Sequence, residues 1–277
     1  MKKLEIFRKK KEEAPIIDRK KTIYYARTYR RIHIDRVKST IFASLLIIPS
    51  FIFCIFMIDD MTEVLTGIGS WMLSQVIPAE VIQVATTEYS VLNSMNYIEL
   101  PTTYPTVSMI GWNLAICFFL LMCMLLFKKT GRPIAIFSLF GIMIHVVSCI
   151  YFLLAATEFP YSISVYSDLY IKQQIGIWLT FIVLAGLVIA FMGERGYVFK
   201  LLTFIDIMAY SVIFGSVRYI LFLYILYRFS VLYMALLFFV VGPMFDFSYF
   251  VALYALFVNK NIKDYEYGEK KGVWRWS

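Results

Sequence analysis

The chain has 277 residues, of which 60% are hydrophobic, 18% aromatic and only 17% charged. A soluble domain usually carries about 25% charged residues, so this composition excludes an ordinary soluble protein. The net charge of +8 is concentrated in residues 1–40, which hold 14 lysines and arginines, and we interpret it as attraction to the anionic inner leaflet of a lipid bilayer and not to nucleic acid.

The first element in chain order is this basic N-terminal segment, residues 1–40. Six apolar runs follow, each close to the roughly 20 residues that cross the hydrocarbon core of a bilayer. They cover residues 41–58, 108–127, 134–155, 175–192, 201–227 and 231–258. The sequence therefore predicts an all-α, polytopic membrane helical bundle over residues 41–258, followed by a tail over residues 259–277.

The distribution of lysine and arginine predicts the orientation of the bundle, because cytoplasmic loops retain positive charge. The segment after the first run, residues 59–107, has no lysine or arginine and six acidic residues, whereas the C-terminal tail has five basic residues. Basic loops alternate with loops that are poor in basic residues. We therefore expect a multi-pass protein of the plasma (inner) membrane, most consistent with a bacterial source, with both termini in the cytoplasm.

The outer segment, residues 59–107, contains one further predicted helix. In MTEVLTGIGSWMLSQVI the apolar residues recur at helical spacing. They define one face, formed by Met61, Val64, Leu65, Ile68, Trp71, Met72 and Val76. We interpret the segment as an amphipathic helix that lies on the outer surface or caps the bundle. Two prolines in IELPTTYPTV then predict irregular structure before the second run.

Few ionisable residues fall within the apolar runs, where they are costly and usually face a bundle interior or a wet cavity. Arg218, in GSVRYILFLYILYRF, keeps its charge on burial and must meet an anion, carbonyl groups or water. Asp246 lies within reach of a long side chain plus one water, and it follows Gly242 and Pro243, which predict a kink in the last run. Two interpretations stay open: a structural pair of Arg218 and Asp246, and a pocket that binds a ligand.

The other reactive side chains form no recognisable site. The only histidines are His33 and His145, so we expect no metal ion within this chain, and no cofactor motif is present. All four cysteines fall inside the predicted runs, without metal-ligand spacing. His145 and Cys149 are four residues apart on one helix face, which suits a Cys–His dyad, and coincidence in an apolar helix is the alternative.

From about residue 161 to residue 258 the chain resembles the exosortase/archaeosortase family of membrane transpeptidases. YSISVYSDLYIKQQIGIWLTFIVLAGLVIAF runs from the outer face into a span, and a short basic turn follows. FGSVRYILFLYILYRF then carries an arginine in its outer half, and VVGPMFDFSYFVALYALF is the final helix. The resemblance implies cleavage of the C-terminal anchor segments of exported proteins by a cysteine, an arginine and a histidine.

The resemblance assigns the arginine to Arg218, which is the candidate catalytic residue. The chain departs from the family pattern at the other two positions. YIKQQ, residues 170–174, stands where the cysteine is expected, and YMALLFF offers no histidine where that residue is expected. Without a nucleophile no acyl-enzyme can form, so the resemblance implies a divergent member that binds a partner or ligand without cutting it.

The sequence thus favours a non-catalytic, exosortase-like accessory or scaffold subunit in cell-envelope assembly, export or surface-polymer production, with a membrane or envelope protein as partner. Lys172, Arg218 and Arg228 would form a positive outer pocket for a carboxylate or phosphate, and Asp246 is the fourth candidate binding residue. Two alternatives stay open. One is a membrane-embedded transpeptidase-like or protease-like enzyme, and the other is a transporter or channel component with Arg218 and Asp246 along its path.

Overall fold

The computed structural model describes residues 30–32, 35–90, 93–126, 132–191, 196–267 and 274–276. Most of the basic N-terminal segment, residues 1–29, lies outside the described residues, as do residues 127–131 and 192–195. Seven helices dominate the described part of the chain. They are α1 (Arg36–Phe56), α2 (Ile58–Ser74), α3 (Val107–Leu126), α4 (Arg132–Ala155), α5 (Ile163–Ala190), α6 (Tyr197–Arg228) and α7 (Gly242–Tyr267).

Six helical segments in the described residues are long and apolar enough to cross a membrane. They are α1, α3, α4, α5, α6 and the last helical run, Val231–Lys260, which enters α7 through short 3-10, α and π segments. This confirms the predicted all-α polytopic bundle. The largest difference from the predicted bounds is in α5, which begins at Ile163 and not at residue 175, because Ser162 caps it by accepting a hydrogen bond from the Val165 amide at 3.1 Å.

The centre of the bundle is α5, which packs against α1 on one side and α6 on another. Half of the span over α5 is buried, a larger share than in any other candidate span of the described residues. Its buried side chains include Tyr166, Tyr170 and Trp178, which are 1–2% exposed. Because α5 packs against α1, α6 and β3, several of its polar side chains lie in the interior.

Helix α2 confirms the predicted amphipathic helix, but the face that it buries differs from the predicted apolar face. Val64, Ile68 and Trp71 are 61%, 51% and 66% exposed. The buried residues are Ile58, Thr62, Leu65, Thr66, Gly69 and Leu73. Threonine is tolerated on this inner face because its hydroxyl bonds to the helix backbone, as Thr66 does to the Thr62 carbonyl at 2.8 Å. The larger apolar side chains remain exposed.

Strands β2 (Gln83–Ser90) and β3 (Asn93–Glu99) form an antiparallel hairpin between α2 and α3, which the sequence analysis did not predict. The register pairs Gln83 with Glu99 and is irregular between Glu88 and Ser90. Strand β3 lies against both α2 and α5, and its Met95 and Ile98 are fully buried. The predicted irregular structure is found after the hairpin, over residues 100–106.

Two short strands, one before the first span and one after the last, pair with each other. Strand β1 (Arg30–Ile32) pairs antiparallel with β4 (Trp274–Trp276), so that Arg31 lies opposite Arg275. The chain therefore enters and leaves the bundle on the same side, as an even number of spans requires. Helix α1 begins next to β1, where the Asp35 carboxylate accepts a hydrogen bond from the Lys38 amide at 3.2 Å, and this bond lowers the pKa of Asp35. That this side is the cytoplasm stays a prediction.

Candidate functional site

A line of polar side chains along α5 forms one side of the site around Arg218. Tyr166, Tyr170, Gln174 and Trp178 follow one another at intervals of four residues, and residues at this interval share a helix face. All four are 1–2% exposed. The face that they form is directed at α6 and at the last helical run, so α5 presents hydroxyl, amide and indole groups to a mainly apolar interior.

Arg218 lies on α6 at the centre of this polar group and is 4% exposed. Its Nε donates to the Tyr170 hydroxyl at 2.6 Å, its Nη2 donates to Gln174 Oε1 at 3.0 Å, and its Nη1 donates to the Gly242 carbonyl at 2.7 Å. The guanidinium carbon also lies 5.5 Å from the centre of the Tyr170 ring, within cation–π distance. Every nitrogen of the guanidinium is therefore engaged, and the three partners come from two other helical segments.

Asp246, on α7, completes the group with its carboxylate. Asp246 Oδ1 lies 2.8 Å from Arg218 Nη1, so the two residues form an ion pair by direct contact and need no bridging water. Neither carboxylate oxygen receives a well-aligned hydrogen bond from the described residues, and Nη1 donates to the Gly242 carbonyl. The contact is thus mainly one of charge. It brings the net charge of the buried group to zero, which is what a site at membrane depth needs.

The kink predicted at Gly242 and Pro243 takes the form of a π-helical segment, Leu237–Val241, immediately before α7. Proline lacks an amide hydrogen and cannot continue the regular hydrogen-bond ladder. Gly242 and Asp246 are one helical turn apart, and both bind the same guanidinium nitrogen. Arg218 therefore clamps the first turn of α7 after this irregular segment.

Helices α5 and α6 approach closely because Gly215 lies between them. A Cβ atom at Gly215 would clash with the side-chain amide of Gln174. The Gly215 carbonyl accepts a hydrogen bond from the Tyr170 hydroxyl at 3.2 Å, while the same hydroxyl accepts the bond from Arg218 Nε. The order of donors therefore runs from Arg218 to Tyr170 to the α6 backbone, and it fixes the Tyr170 hydroxyl in one orientation.

Three atoms along the α5 line have no hydrogen-bond partner among the described residues. They are Tyr166 Oη, Gln174 Nε2 and Trp178 Nε1. A buried polar group without a partner costs about 1–3 kcal/mol. The hydrogen bonds of the α5 line are therefore concentrated at Arg218, and several polar atoms elsewhere along the line have no partner among the described residues.

The structure brings Arg218 and Asp246 together, and it does not bring the other two candidate binding residues to them. Lys172 lies two residues from both Tyr170 and Gln174, so it points to another face of α5, where it pairs with Asp168 at 2.8 Å. Arg228 is exposed near the end of α6, about 15 Å from Arg218 along the helix axis. Ligand binding by Lys172 or Arg228 stays a prediction.

A second buried polar group lies among α3, α4 and the start of the last helical run. His145 Nε2 lies 3.0 Å from Asn113 Oδ1, and the Tyr233 hydroxyl donates to the same oxygen at 2.8 Å. The rings of His145 and Tyr233 stack with their centres 5.2 Å apart. Within the described residues His145 makes no hydrogen bond to Cys149, which is fully buried one turn away. The geometry thus assigns His145 to a hydrogen-bonded cluster and does not form the Cys–His dyad.

Sequence reasoning missed Tyr170, Gln174 and Lys200 as partners of buried polar groups. Lys200 is 4% exposed and donates to the Ala190 carbonyl at 2.8 Å, so its charge meets the negative end of the α5 dipole. The interval of four residues along α5 was the available signal for Tyr170 and Gln174. The described residues contain no group of three or more histidine, cysteine or acidic residues that could hold a metal ion.

An apolar groove of about 670 Å³ lies between α1, α5 and α6. Pro49 and Phe53 line it on the α1 side, and Met208 and Val212 line it on the α6 side. Such a lining is suited to contact with hydrocarbon, and the groove does not include Arg218 or Asp246. The groove is therefore separate from the Arg218–Asp246 pair, and Trp178 of the polar line along α5 contributes to its wall.

Comparisons of the chain with protein-family models, with curated proteins and with solved structures find no match.

Proposed function

We propose that this multi-pass membrane protein is a non-catalytic accessory or scaffold subunit of the plasma membrane, acting in cell-envelope assembly, export or surface-polymer production. The observation that supports the proposal is the state of Arg218. Its guanidinium is buried, ion-paired with Asp246 and hydrogen-bonded through all three nitrogens to protein groups. An arginine that stabilises an oxyanion needs donors directed at the reacting atom, and here those donors already have acceptors.

The resemblance to the exosortase/archaeosortase family is part of this proposal. The family pattern places a cysteine near the outer end of the helix that corresponds to α5. In this chain Tyr170 and Gln174 occupy that region and contact Arg218. A phenol and an amide cannot replace a thiolate as nucleophile under ordinary conditions. In the proposed divergent member, the arginine has kept its position and has exchanged a catalytic partner for structural ones.

The physical role of the Arg218 group in such a scaffold is to fix the relative positions of α5, α6 and α7. A group that joins three helices through directional bonds specifies one arrangement of them, whereas lipid-facing apolar contacts are non-directional. Helices α5 and α6 also support the hairpin through Ser167 and Tyr219. The group thus stabilises the hairpin side of the bundle, which lies opposite the β1–β4 pair. A partner of the proposed subunit would bind on this hairpin side.

The test compares a deletion strain with the same strain carrying wild-type protein or one of two variants. The first variant is Arg218→Ala, which leaves Asp246 unpaired. The second combines Arg218→Met with Asp246→Leu, which removes both charges and preserves their approximate volume. Proteomics of C-terminal peptides of exported proteins measures cleavage, and purification in mild detergent measures association with a stoichiometric partner.

The proposal predicts that C-terminal anchor peptides are the same with and without the protein, and that a partner co-purifies with the wild type and with the double variant. Uncleaved tails that disappear only with wild-type protein would instead establish processing by a membrane transpeptidase. That outcome would require a nucleophile other than the residues in contact with Arg218. Flux of a small solute into liposomes by the purified protein alone would favour the transporter alternative.

A further inference from the structure

The two edges of the β2–β3 hairpin differ in how their backbone groups are satisfied. One edge of β3 pairs with β2. On its other edge, the Asn96 amide donates to Thr62 Oγ1 at 3.1 Å and the Ile98 amide donates to the Tyr219 hydroxyl at 2.9 Å. Strand β2 has no such second set of partners: in the described ranges, no backbone hydrogen bond joins Gln83–Ser90 to any part of the chain except β3. The outer edge of β2 is therefore open.

An open edge of this length is unusual for a natural protein. Strand β2 has eight residues, and in an antiparallel strand alternate residues direct both their amide and carbonyl groups away from the neighbouring strand. Natural proteins protect such edges with proline, lysine, bulges or short strands. Strand β2 contains no proline or lysine, and its one irregularity lies near its end, between Glu88 and Ser90. The part from Gln83 to Glu88 can accept another strand.

Side chains do not cover this edge. No residue of β2 is buried, and five of the eight are exposed: Gln83, Val84, Thr86, Glu88 and Ser90. Strand β3 lies between β2 and the bundle, since α5 packs against β3 and α2 contacts β3 far more than β2. The bundle therefore supports the hairpin from the β3 side and leaves β2 to the surroundings.

The charge around the edge specifies the partner. Residues 59–107 contain six acidic residues and no lysine or arginine. Glu88 lies on β2 and Glu80 lies just before it, and both are exposed. A strand that carries lysine or arginine would gain electrostatic attraction along this edge. A second copy of β2 would instead bring like charges together, and like charges on neighbouring strands are destabilising.

We propose that the outer edge of β2 binds an extended, lysine-bearing or arginine-bearing segment of a partner protein as an added β-strand. Main-chain hydrogen bonds to the open edge provide the attachment, and Glu80 and Glu88 select for basic side chains. The inference rests on the proposed scaffold function, because it names the surface at which the partner docks. The Arg218 group takes no part in the binding and only holds the helices that support the hairpin.

The test uses the full-length protein in nanodiscs of zwitterionic lipid and fluorescent peptides of the same length as β2. One peptide alternates lysine with valine, and its matched control alternates glutamate with valine. Two further forms of the lysine peptide carry N-methyl groups on either the lysine or the valine residues. Binding is measured by fluorescence anisotropy, and the signal from empty nanodiscs is subtracted.

Strand addition predicts that the lysine peptide binds at least about tenfold more tightly than the glutamate peptide. It also predicts that one of the two N-methylated forms loses at least about tenfold in affinity and the other loses little, because only alternate amides face β2. Equal loss in both forms, or binding of both charge types alike, would overturn the proposal.

Charge-reversal variants locate the binding on the molecule. Glu80→Lys combined with Glu88→Lys should weaken binding of the lysine peptide and strengthen binding of the glutamate peptide. The control is Glu63→Lys combined with Asp60→Lys, which changes the net charge by the same amount. Glu63 and Asp60 are both exposed, and both lie on α2 and not beside the open edge. Equal weakening by the control pair would mean that only the general negative field attracts the peptide, and the edge proposal would then be wrong.

Binding of a second copy, and failure of either proposal alone, give distinct results. If a second copy covers the edge, Thr86→Cys proteins in detergent form disulfide-linked dimers at low concentration, and this outcome also overturns the proposal. If no peptide binds but a partner still co-purifies with the wild type, the scaffold function stands and strand addition fails. Loss of co-purification with unchanged peptide binding would have the opposite meaning, so the two proposals can fail separately.

Discussion

Arg218 Nη1 lies 2.8 Å from Asp246 Oδ1, and the two side chains are only 4% and 8% exposed. The pair joins α6 to the first turn of α7, directly after the π-helical segment. A buried ion pair gives little net stability compared with well-packed apolar residues, but loss of one partner leaves an uncompensated charge. The consequence is that single and double substitutions at these positions should behave very differently.

The first prediction concerns this difference. Arg218→Ala should lower the free energy of unfolding by about 3–5 kcal/mol, because Asp246 then remains buried without a counter-charge. The double variant Arg218→Met with Asp246→Leu should recover most of the loss, since both charges are removed together. Thermal or denaturant unfolding in detergent micelles measures each variant. A double variant as unstable as Arg218→Ala would show that the guanidinium bonds to α5, and not the charge balance, dominate.

A second prediction concerns the contact between α5 and α6. Gly215→Ala places a methyl group against the Gln174 amide, so we expect a loss of about 1–3 kcal/mol from overpacking. Gly176→Ala is the matched control, because Gly176 lies within α5 and a Cβ atom there meets nothing within 4 Å. The control should be neutral or stabilising by up to about 1 kcal/mol, as alanine is the better helix former. Equal effects on the midpoint of unfolding would contradict the close approach of the helices.

The six spans could be predicted from the sequence because the requirement that sets them is local. A bilayer demands about 20 consecutive apolar residues, and such runs are visible without knowledge of their neighbours. The pairing of Arg218 with Asp246 could be foreseen for a similar reason, since two opposite charges in an apolar setting have few other partners. Tyr170 and Gln174 were harder to foresee, because they lie before the predicted start of the span, in a stretch that is too polar to count as membrane helix.

The hairpin and the buried face of α2 could not be read from apolar patterning in the same way. In a membrane protein a large apolar side chain can face lipid as well as the protein interior, so periodicity alone does not say which face is buried. Val64 and Trp71 face outward while Thr62 and Gly69 face β3. In β3 the buried residues Met95 and Ile98 are three apart, because helices cover both faces of the strand, and this spacing hides the alternation that usually reveals a strand.

The third prediction tests the orientation of α2. Leu65 is 5% exposed and its neighbour Val64 is 61% exposed, so these adjacent positions report on the buried and the exposed side of α2. Leu65→Ala should lower the free energy of unfolding by about 2–5 kcal/mol, the usual cost of such a cavity. Val64→Ala should change it by less than about 0.5 kcal/mol, as for exposed positions in general. The opposite order of effects would mean that Val64, and not Leu65, faces the interior of the bundle.

The last prediction concerns the attachment of the hairpin to the bundle. The Tyr219 hydroxyl accepts a hydrogen bond from the Ile98 amide at 2.9 Å and bonds to Ser167 Oγ at 2.5 Å. Tyr219→Phe therefore leaves two buried polar groups without a partner, which costs about 1–3 kcal/mol.

Because the missing bond belongs to β3, the loss should appear as faster hydrogen exchange of the Ile98 amide and its neighbours in the hairpin, with the amides of α5 little changed. Tyr224→Phe is the control on the same helix, since Tyr224 is half-buried and the described residues give its hydroxyl no hydrogen bond. Unchanged exchange in the Tyr219→Phe hairpin would mean that packing of Met95 and Ile98 against α2 and α5 is sufficient to hold it. If exchange increases as expected, the same variant should also weaken binding of the lysine peptide along β2, because a strand can be added only to an edge that is held in place.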